Sequence, residues 1–276
     1  MAHNRGARLF VQAAAARAYP RIWGANREMS WVFFEILVPL LNTAAFVFLY
    51  RALGAPDAYV GFVILGATMA TYWVNVLWMM ASQLYWDKQG GFLELYIMAP
   101  VSMVAILLGM AVGGLYRASL RAATIAIAGT ILFSVQLDGR QWGLATVVFF
   151  VAMFALYGLG MLLSSLFLMW GRVAWQLSMA LSEPVFFLTG LNFPLSKLFN
   201  VAGLVSIVSA VIPVSFGLDA LRQLLFPGQI TGVLPPLTEL GILLVLGVVF
   251  TTAAYFMLRR MEWLARVEAR LSLRSQ

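Results

Sequence analysis

The residues able to do chemistry in this chain are few and widely spaced. The stretch GGFLELYIMAP, residues 90–100, sets one carboxylate, Glu94, among Phe92, Leu93, Leu95 and Tyr96, with Asp87 and Lys88 just before it. Arg117 and Arg121 stand four residues apart, so a helix carrying them would put both guanidinium groups on one face. Such a pair can contact an anionic group, or it can be neutralised by a carboxylate such as Glu35 or Glu183. Glu35 precedes Pro39 and Glu183 precedes Pro184, so each could line a path where proline disturbs a helix. More often such acids are satisfied locally.

Several chemistries are missing. A nucleotide-hydrolysing chain needs a phosphate-cradling loop of the form G-x-x-x-x-G-K-[ST], yet the only lysines, Lys88 and Lys197, lack that context. There is no nucleophile elbow and no acid cluster in a loop. With no cysteine and one histidine, His3, thiolate chemistry, disulfides and His/Cys metal sites drop out. Nothing here reads as catalytic, so energised work would draw its energy from another chain.

The elements that must position these residues follow from composition. The 276 residues are 62% hydrophobic and 11% charged, far from a soluble domain. Crossing a hydrocarbon core of about 30 Å takes roughly 20 apolar residues in a helix. Such runs occur at residues 31–50, 59–86, 101–133, 142–170 and 237–258, with a further span expected around LSMALSEPVFFLTGL. The short alternating segments of a β-barrel are absent. The expected fold is therefore an all-α integral membrane protein with six transmembrane helices.

Residues 189–236 are apolar but interrupted by Pro194, Lys197, Pro213, Asp219 and Arg222. The count of arginines decides how to treat them. Arg5, Arg8, Arg17, Arg21 and Arg27 crowd one end, and Arg259, Arg260, Arg266, Arg270 and Arg274 the other, so both ends are expected in the cytoplasm and the number of spans is even. Six spans put Lys88 and Arg172 inside and leave Arg51, Arg140, Lys197 and Arg222 outside; residues 189–236 are then a re-entrant external hairpin before the last span. The net charge of +7 reads as topology, not as a nucleic-acid surface. The N-terminal stretch is expected to be retained as an interfacial helix, with Arg17 and Arg21 one turn apart. A single domain results: an interfacial segment at 1–29, a core at 30–258 and a cytoplasmic tail at 259–276.

The segment from Gly90 to Met110 resembles the signature of type-2 ABC exporter permeases, G-T-L-E-x-L-L-x-x-P-V-S followed by a leucine-rich run to G-K. Gly91, Leu93, Glu94, Ile97, Pro100, Val101, Ser102 and Gly109 fall on it, while Phe92 and Met110 depart from it. LTGLNFPLSKL is similar to the family's L-S-G-x-x-F-P-L-S exit, through Phe193, Pro194 and Leu195. IPVSFGLDALRQLL is similar to its N-P-L-T-Y-x-x-D-x-L-R segment, through Pro213, Asp219, Leu221 and Arg222. The resemblance implies a permease half with an N-terminal interfacial helix, a cytoplasmic coupling helix between spans two and three, and re-entrant helices before span six. It also implies a second permease copy, as homodimer or heterodimer, and separate ATPase subunits that bind ATP and Mg; this chain itself would hold no cofactor.

Within that frame a short helix over residues 85–100 would present Asp87, Lys88 and Glu94 to the cytoplasm and offer Phe92, Leu93, Tyr96 and Ile97 as apolar anchors for the groove of an ATPase. The plainer reading is an interfacial loop with its aromatics at headgroup depth. For Arg117 and Arg121, pairing or snorkelling is preferred to substrate contact, because the third span is long enough for both to lie off-centre. Trp31, Phe33, Phe34, Tyr72, Trp73 and Trp78 could line a path but are expected mostly in the aromatic belt or facing lipid. The G-x-x-x-G of Gly109 and Gly113 is a weak sign of a close helix contact.

The expected function is export of a hydrophobic or amphipathic substrate, drug or lipid-like, across the cytoplasmic membrane of a prokaryote. The alternative cargo is a lipid-linked polysaccharide or other glycoconjugate. A membrane-embedded enzyme would need a cluster of His, Asp or Glu at the membrane face, and a proton-coupled carrier would show inverted repeats with discontinuous helices in both halves. Neither pattern is present in the sequence.

Overall fold

The computed structural model describes residues 2–24, 29–99, 101–170, 173–199, 203–227 and 232–268, and among these it is helical with no strand. In chain order the helices are α1 (Ala2–Trp23), α2 (Met29–Ala52), α3 (Ala58–Val76), α4 (Gln83–Gln89), α5 (Phe92–Met98), α6 (Met103–Phe133) and α7 (Trp142–Trp170). There follow α8 (Val173–Leu188), α9 (Leu195–Phe199), α10 (Gly203–Val211), α11 (Pro213–Leu225) and α12 (Pro236–Glu268). Pro100, Arg27, Arg172, Arg270 and Arg274 lie outside the described residues, as do the side chains of Glu94 and Ile97.

Among the described residues, five stretches are long and apolar enough to cross a bilayer: Val32–Ala52, Ala58–Gln89, Met103–Phe133, Trp142–Leu168 and Pro236–Met261. Helices close their own backbone hydrogen bonds, which is what hydrocarbon demands. The chain is a multi-pass membrane protein. A sixth crossing arises if α10 and α11 are counted as one span, but they meet at an 86° bend. The bend falls at Pro213, the first residue of α11, where the missing N–H leaves no bond to carry the helix through.

The fifth span expected from the sequence is α8, and it is short. Its 16 residues rise about 24 Å, less than the roughly 30 Å of a hydrocarbon core. It ends in a turn at Gly190, whose φ of +63° is the left-handed conformation that glycine adopts without strain.

The second long stretch is not a plain α-helix. Between α3 and α4, Leu77–Ala81 forms a π turn, and Ser82 Oγ donates to the carbonyl of Leu77 at 3.0 Å. Ser82 also shares a 2.7 Å hydrogen bond with Ser178 of α8, and Ser164 Oγ of α7 donates to the carbonyl of Met80 at 3.3 Å. One extra residue in a turn rotates all that follows by about 100°. The face that α4 turns inward is therefore not the one a regular period would choose.

α1 lies along α6, and the contact is closed by the glycines of the G-x-x-x-G pair. A Cβ on Gly109 would stand 2.3 Å from the carbonyl oxygen of Ala14, and one on Gly113 would stand 2.9 Å from Cβ of Arg21. Small residues here let two backbones approach directly. Replacing Gly109 with leucine is expected to lift α1 from α6 while the spans stay folded. Trypsin would then cut after Arg17 or Arg21 roughly tenfold faster than in the parent, because local opening controls cleavage.

Candidate functional site

The region after the second long helix is built on a buried carboxylate. Asp87 is 5% exposed. Arg17 Nη2 of α1 donates to its Oδ2, Gln83 Nε2 donates to its Oδ1 at 2.9 Å, and the Tyr96 hydroxyl of α5 donates to Oδ2 at 3.2 Å. The Arg17 guanidinium also lies 5.5 Å from the centroid of the Tyr96 ring. Burial first, and then the neighbouring carboxylate, push the Tyr96 phenol above its ordinary pKa, so it stays the protonated donor. Arg21, whose Nη1 donates to the carbonyl of Met79 in the π turn at 2.6 Å, is lowered to about 10 by burial and by the adjacent Arg17 charge.

This corrects the expectation for Asp87, Leu93 and Tyr96. Asp87 is not a solvent-facing carboxylate; after the π turn it points inward onto α1. Leu93 is 1% exposed and joins the chain's own core, and Tyr96 turns toward Asp87. Among the described side chains of α5, Phe92, Leu95 and Met98 are exposed. Gly91, with φ of +75°, makes the turn that sets α5 off from α4, and Lys88 is half-buried beside it.

The second group lies near the middle of α6. Glu35 of α2 pairs with both arginines: its Oε2 is 3.3 Å from Arg117 Nη2 and 3.0 Å from Arg121 Nη1. All three side chains are between 12% and 19% exposed. An unpaired charge at the centre of a bilayer costs about 2.5–3.5 kcal/mol even on insertion scales, so the pairing stabilises the packing of α2 on α6. One carboxylate cannot saturate two guanidinium groups, however. Nε and Nη2 of Arg121 are buried without a hydrogen-bond partner among the described residues.

Three cavities run past this group. One of about 250 Å3 is bordered by Glu35, Arg121, Asn42, Thr43 and Thr71 together with Phe186 and Leu191. A second of about 250 Å3 shares Glu35 and Arg121 and adds Arg117. A third of about 290 Å3 shares Arg117 and reaches Arg17 and Arg21. Glu183, the other acid expected to line a path, is exposed on α8 and borders none of the three.

The third group is structural. Arg222 of α11, read from the sequence as part of the re-entrant external hairpin, is fully buried. Its Nη1 donates to the carbonyls of Gly190 at 2.7 Å and Phe193 at 3.1 Å, and its Nη2 to those of Leu191 at 2.7 Å and Phe62 at 3.0 Å. The guanidinium also stacks over the Phe62 ring at 4.9 Å. One side chain thus ties the non-helical turn at residues 190–194 to α3. Pro194 is buried in that turn, and Phe193 packs on Phe187 at 5.7 Å. Asp219, also buried, accepts from the Val233 backbone N–H at 2.8 Å and from Gln223 Nε2 at 3.2 Å. Gln223 reaches the buried Glu239 as well, at 3.5 Å.

Sequence reasoning passed over Gln83, Gln223 and Glu239, which complete these networks. For Glu239 a signal was present: it is an acid in the first turn of an otherwise apolar helix. Tyr72 and Trp73, expected mostly at the membrane surface or against lipid, are buried in the core, while Phe33 and Phe34 are exposed. No family model matches the chain, and no curated protein matches it.

Proposed function

We propose that the chain is the permease subunit of an ATP-driven exporter of the type-2 ABC kind, and that α5 is where a separate ATPase acts on it. The observation that carries this reading is α5 itself: a short helix with Phe92, Leu95 and Met98 exposed, offset from the end of a 32-residue helical stretch by a left-handed glycine. Exposed apolar anchors on a helix suit a groove on a partner. The helix is also tied through Tyr96 and Asp87 to Arg17, so a push on α5 would reach α1 and the π turn together. Asp87 then acts as a brace and not as a contact. Glu94, on the same helix, remains a contact in this reading.

In the same reading α1 is the interfacial helix, α8 the fifth span, α9 to α11 the external re-entrant hairpin and α12 the last span. Both ends lie in the cytoplasm, as the arginine distribution supports. Two copies, or this chain and a related one, would form the path, and the substrate is hydrophobic or amphipathic. The membrane is the cytoplasmic membrane of a prokaryote. ATP and Mg are bound by the ATPase alone.

The test is reconstitution in lipid vesicles with the co-purified ATPase. Phe92→Asp or Leu95→Asp is expected to lower stimulation of ATP hydrolysis by roughly tenfold, the scale of losing a buried anchor. Their thermal midpoints should stay within about 2 °C of the parent, since exposed positions tolerate substitution. Glu94→Lys should uncouple hydrolysis from transport without loss of folding. Parental stimulation and transport in all three would remove α5 from the interface.

A further inference from the structure

We infer that the three cavities along α6 form one binding track for the anionic head of an amphipathic molecule, and that Arg121 is the residue that grips it. The inference deepens the exporter reading by naming the charge of its substrate.

The argument starts from charge balance. Arg17, Arg21, Arg117 and Arg121 face the track, against the carboxylates of Asp87 and Glu35. Asp87 is taken up by Arg17, Gln83 and Tyr96, so it leaves the upper part of the track to Arg117, Arg121 and Glu35. Those three carry one net positive charge in a region that a bilayer keeps at low dielectric.

Donor geometry narrows the ligand further. Glu35 engages Arg121 through Nη1, while Nε and Nη2, the other nitrogens of the fork, are buried without a hydrogen-bond partner among the described residues. A buried guanidinium in that condition is costly unless an acceptor completes it. A planar fork suits two oxygens of one phosphate or carboxylate group. The cavity beside it supplies the side-chain amide of Asn42 and apolar walls from Val38, Val74 and Phe186, while the hydroxyls of Thr43 and Thr71 on its border donate to the carbonyls of Pro39 and Ala67. Exposed Phe33, Phe34, Val38 and Leu41 continue the apolar side along α2. Such a site fits a single anionic head bearing a hydrocarbon tail. Neither a free anion nor a neutral head uses both halves.

Purified protein in phosphatidylcholine nanodiscs would be titrated calorimetrically with dodecyl phosphate, dodecanol and inorganic phosphate. Dodecyl phosphate is expected to bind roughly tenfold or more tightly than either control, as one charge-assisted fork contact allows. Arg121→Gln should abolish that preference, and Arg121→Lys should restore part of it. Glu35→Gln removes the competing carboxylate and should tighten dodecyl phosphate binding several-fold while lowering thermal stability, a combination that a purely structural role does not produce.

Equal binding of dodecyl phosphate and dodecanol would overturn the inference. So would inorganic phosphate binding as tightly as dodecyl phosphate, or an unchanged preference in folded Arg121→Gln. No ATPase enters this measurement, so its failure leaves the exporter reading intact, and loss of ATPase stimulation leaves the binding result intact.

Discussion

Arg222→Met is expected to be the most damaging single substitution in the molecule, lowering the apparent midpoint of unfolding by roughly 10 °C or more. The side chain is fully buried and donates to four backbone carbonyls, three of them in the turn between α8 and α9 and one on α3. Methionine matches the apolar volume but leaves those carbonyls without donors in a region where water does not replace them. Each orphaned buried acceptor costs about 1–3 kcal/mol, so even partial relaxation leaves a loss of about 4 kcal/mol. Arg222→Lys is expected to recover less than half, because a point charge with three donors cannot span carbonyls that a planar fork reaches from two nitrogens. Midpoints of the two variants in detergent, beside monodispersity by gel filtration, check both halves. An Arg222→Met protein with the parent midpoint would show that the turn is held by other contacts.

Glu35→Gln is expected to be the second largest loss, about 3 kcal/mol, read as a fall in midpoint of roughly 5–10 °C. It leaves Arg117 and Arg121 facing each other without a carboxylate near the middle of α6. The double variant Glu35→Gln/Arg121→Gln should regain part of that loss, since it removes one of the two stranded charges. A cycle through the single and double variants isolates this coupling. If the single losses merely add, Glu35 and Arg121 do not stabilise each other.

Much of the fold was legible because each crossing is a local property. A run such as residues 142–170 carries no charge and needs no partner to close its backbone bonds, so its length and composition already specify a spanning helix. The bend between α10 and α11 was legible for a similar reason: Pro213 interrupts an apolar run, and the 86° bend falls there. The fifth span was harder. LSMALSEPVFFLTGL is apolar enough for a span, but the left-handed turn at Gly190 ends α8 before it gains the length.

The candidate sites were legible as residues and not as arrangements. Arg117 and Arg121 declared themselves by spacing, and Glu35 and Glu183 were equal candidates to meet them; only the packing of α2 against α6 chose Glu35. Asp87 and Glu94 looked alike in the sequence. The π turn at Leu77–Ala81 decides the place of Asp87, because one inserted residue turns it toward α1, and no local rule of composition announces that insertion.

By itself, then, the sequence determined that this is a helical multi-pass membrane protein and where its long apolar helices run, because hydrophobic length and backbone self-satisfaction are written within each segment. Tertiary structure decided which charges are buried and what each one meets. Arg17 with Asp87, Arg121 with Glu35, and Arg222 with the carbonyl of Phe62 join residues far apart in the chain. Such pairings depend on the rotation and register of whole helices against one another, which no single stretch of residues encodes.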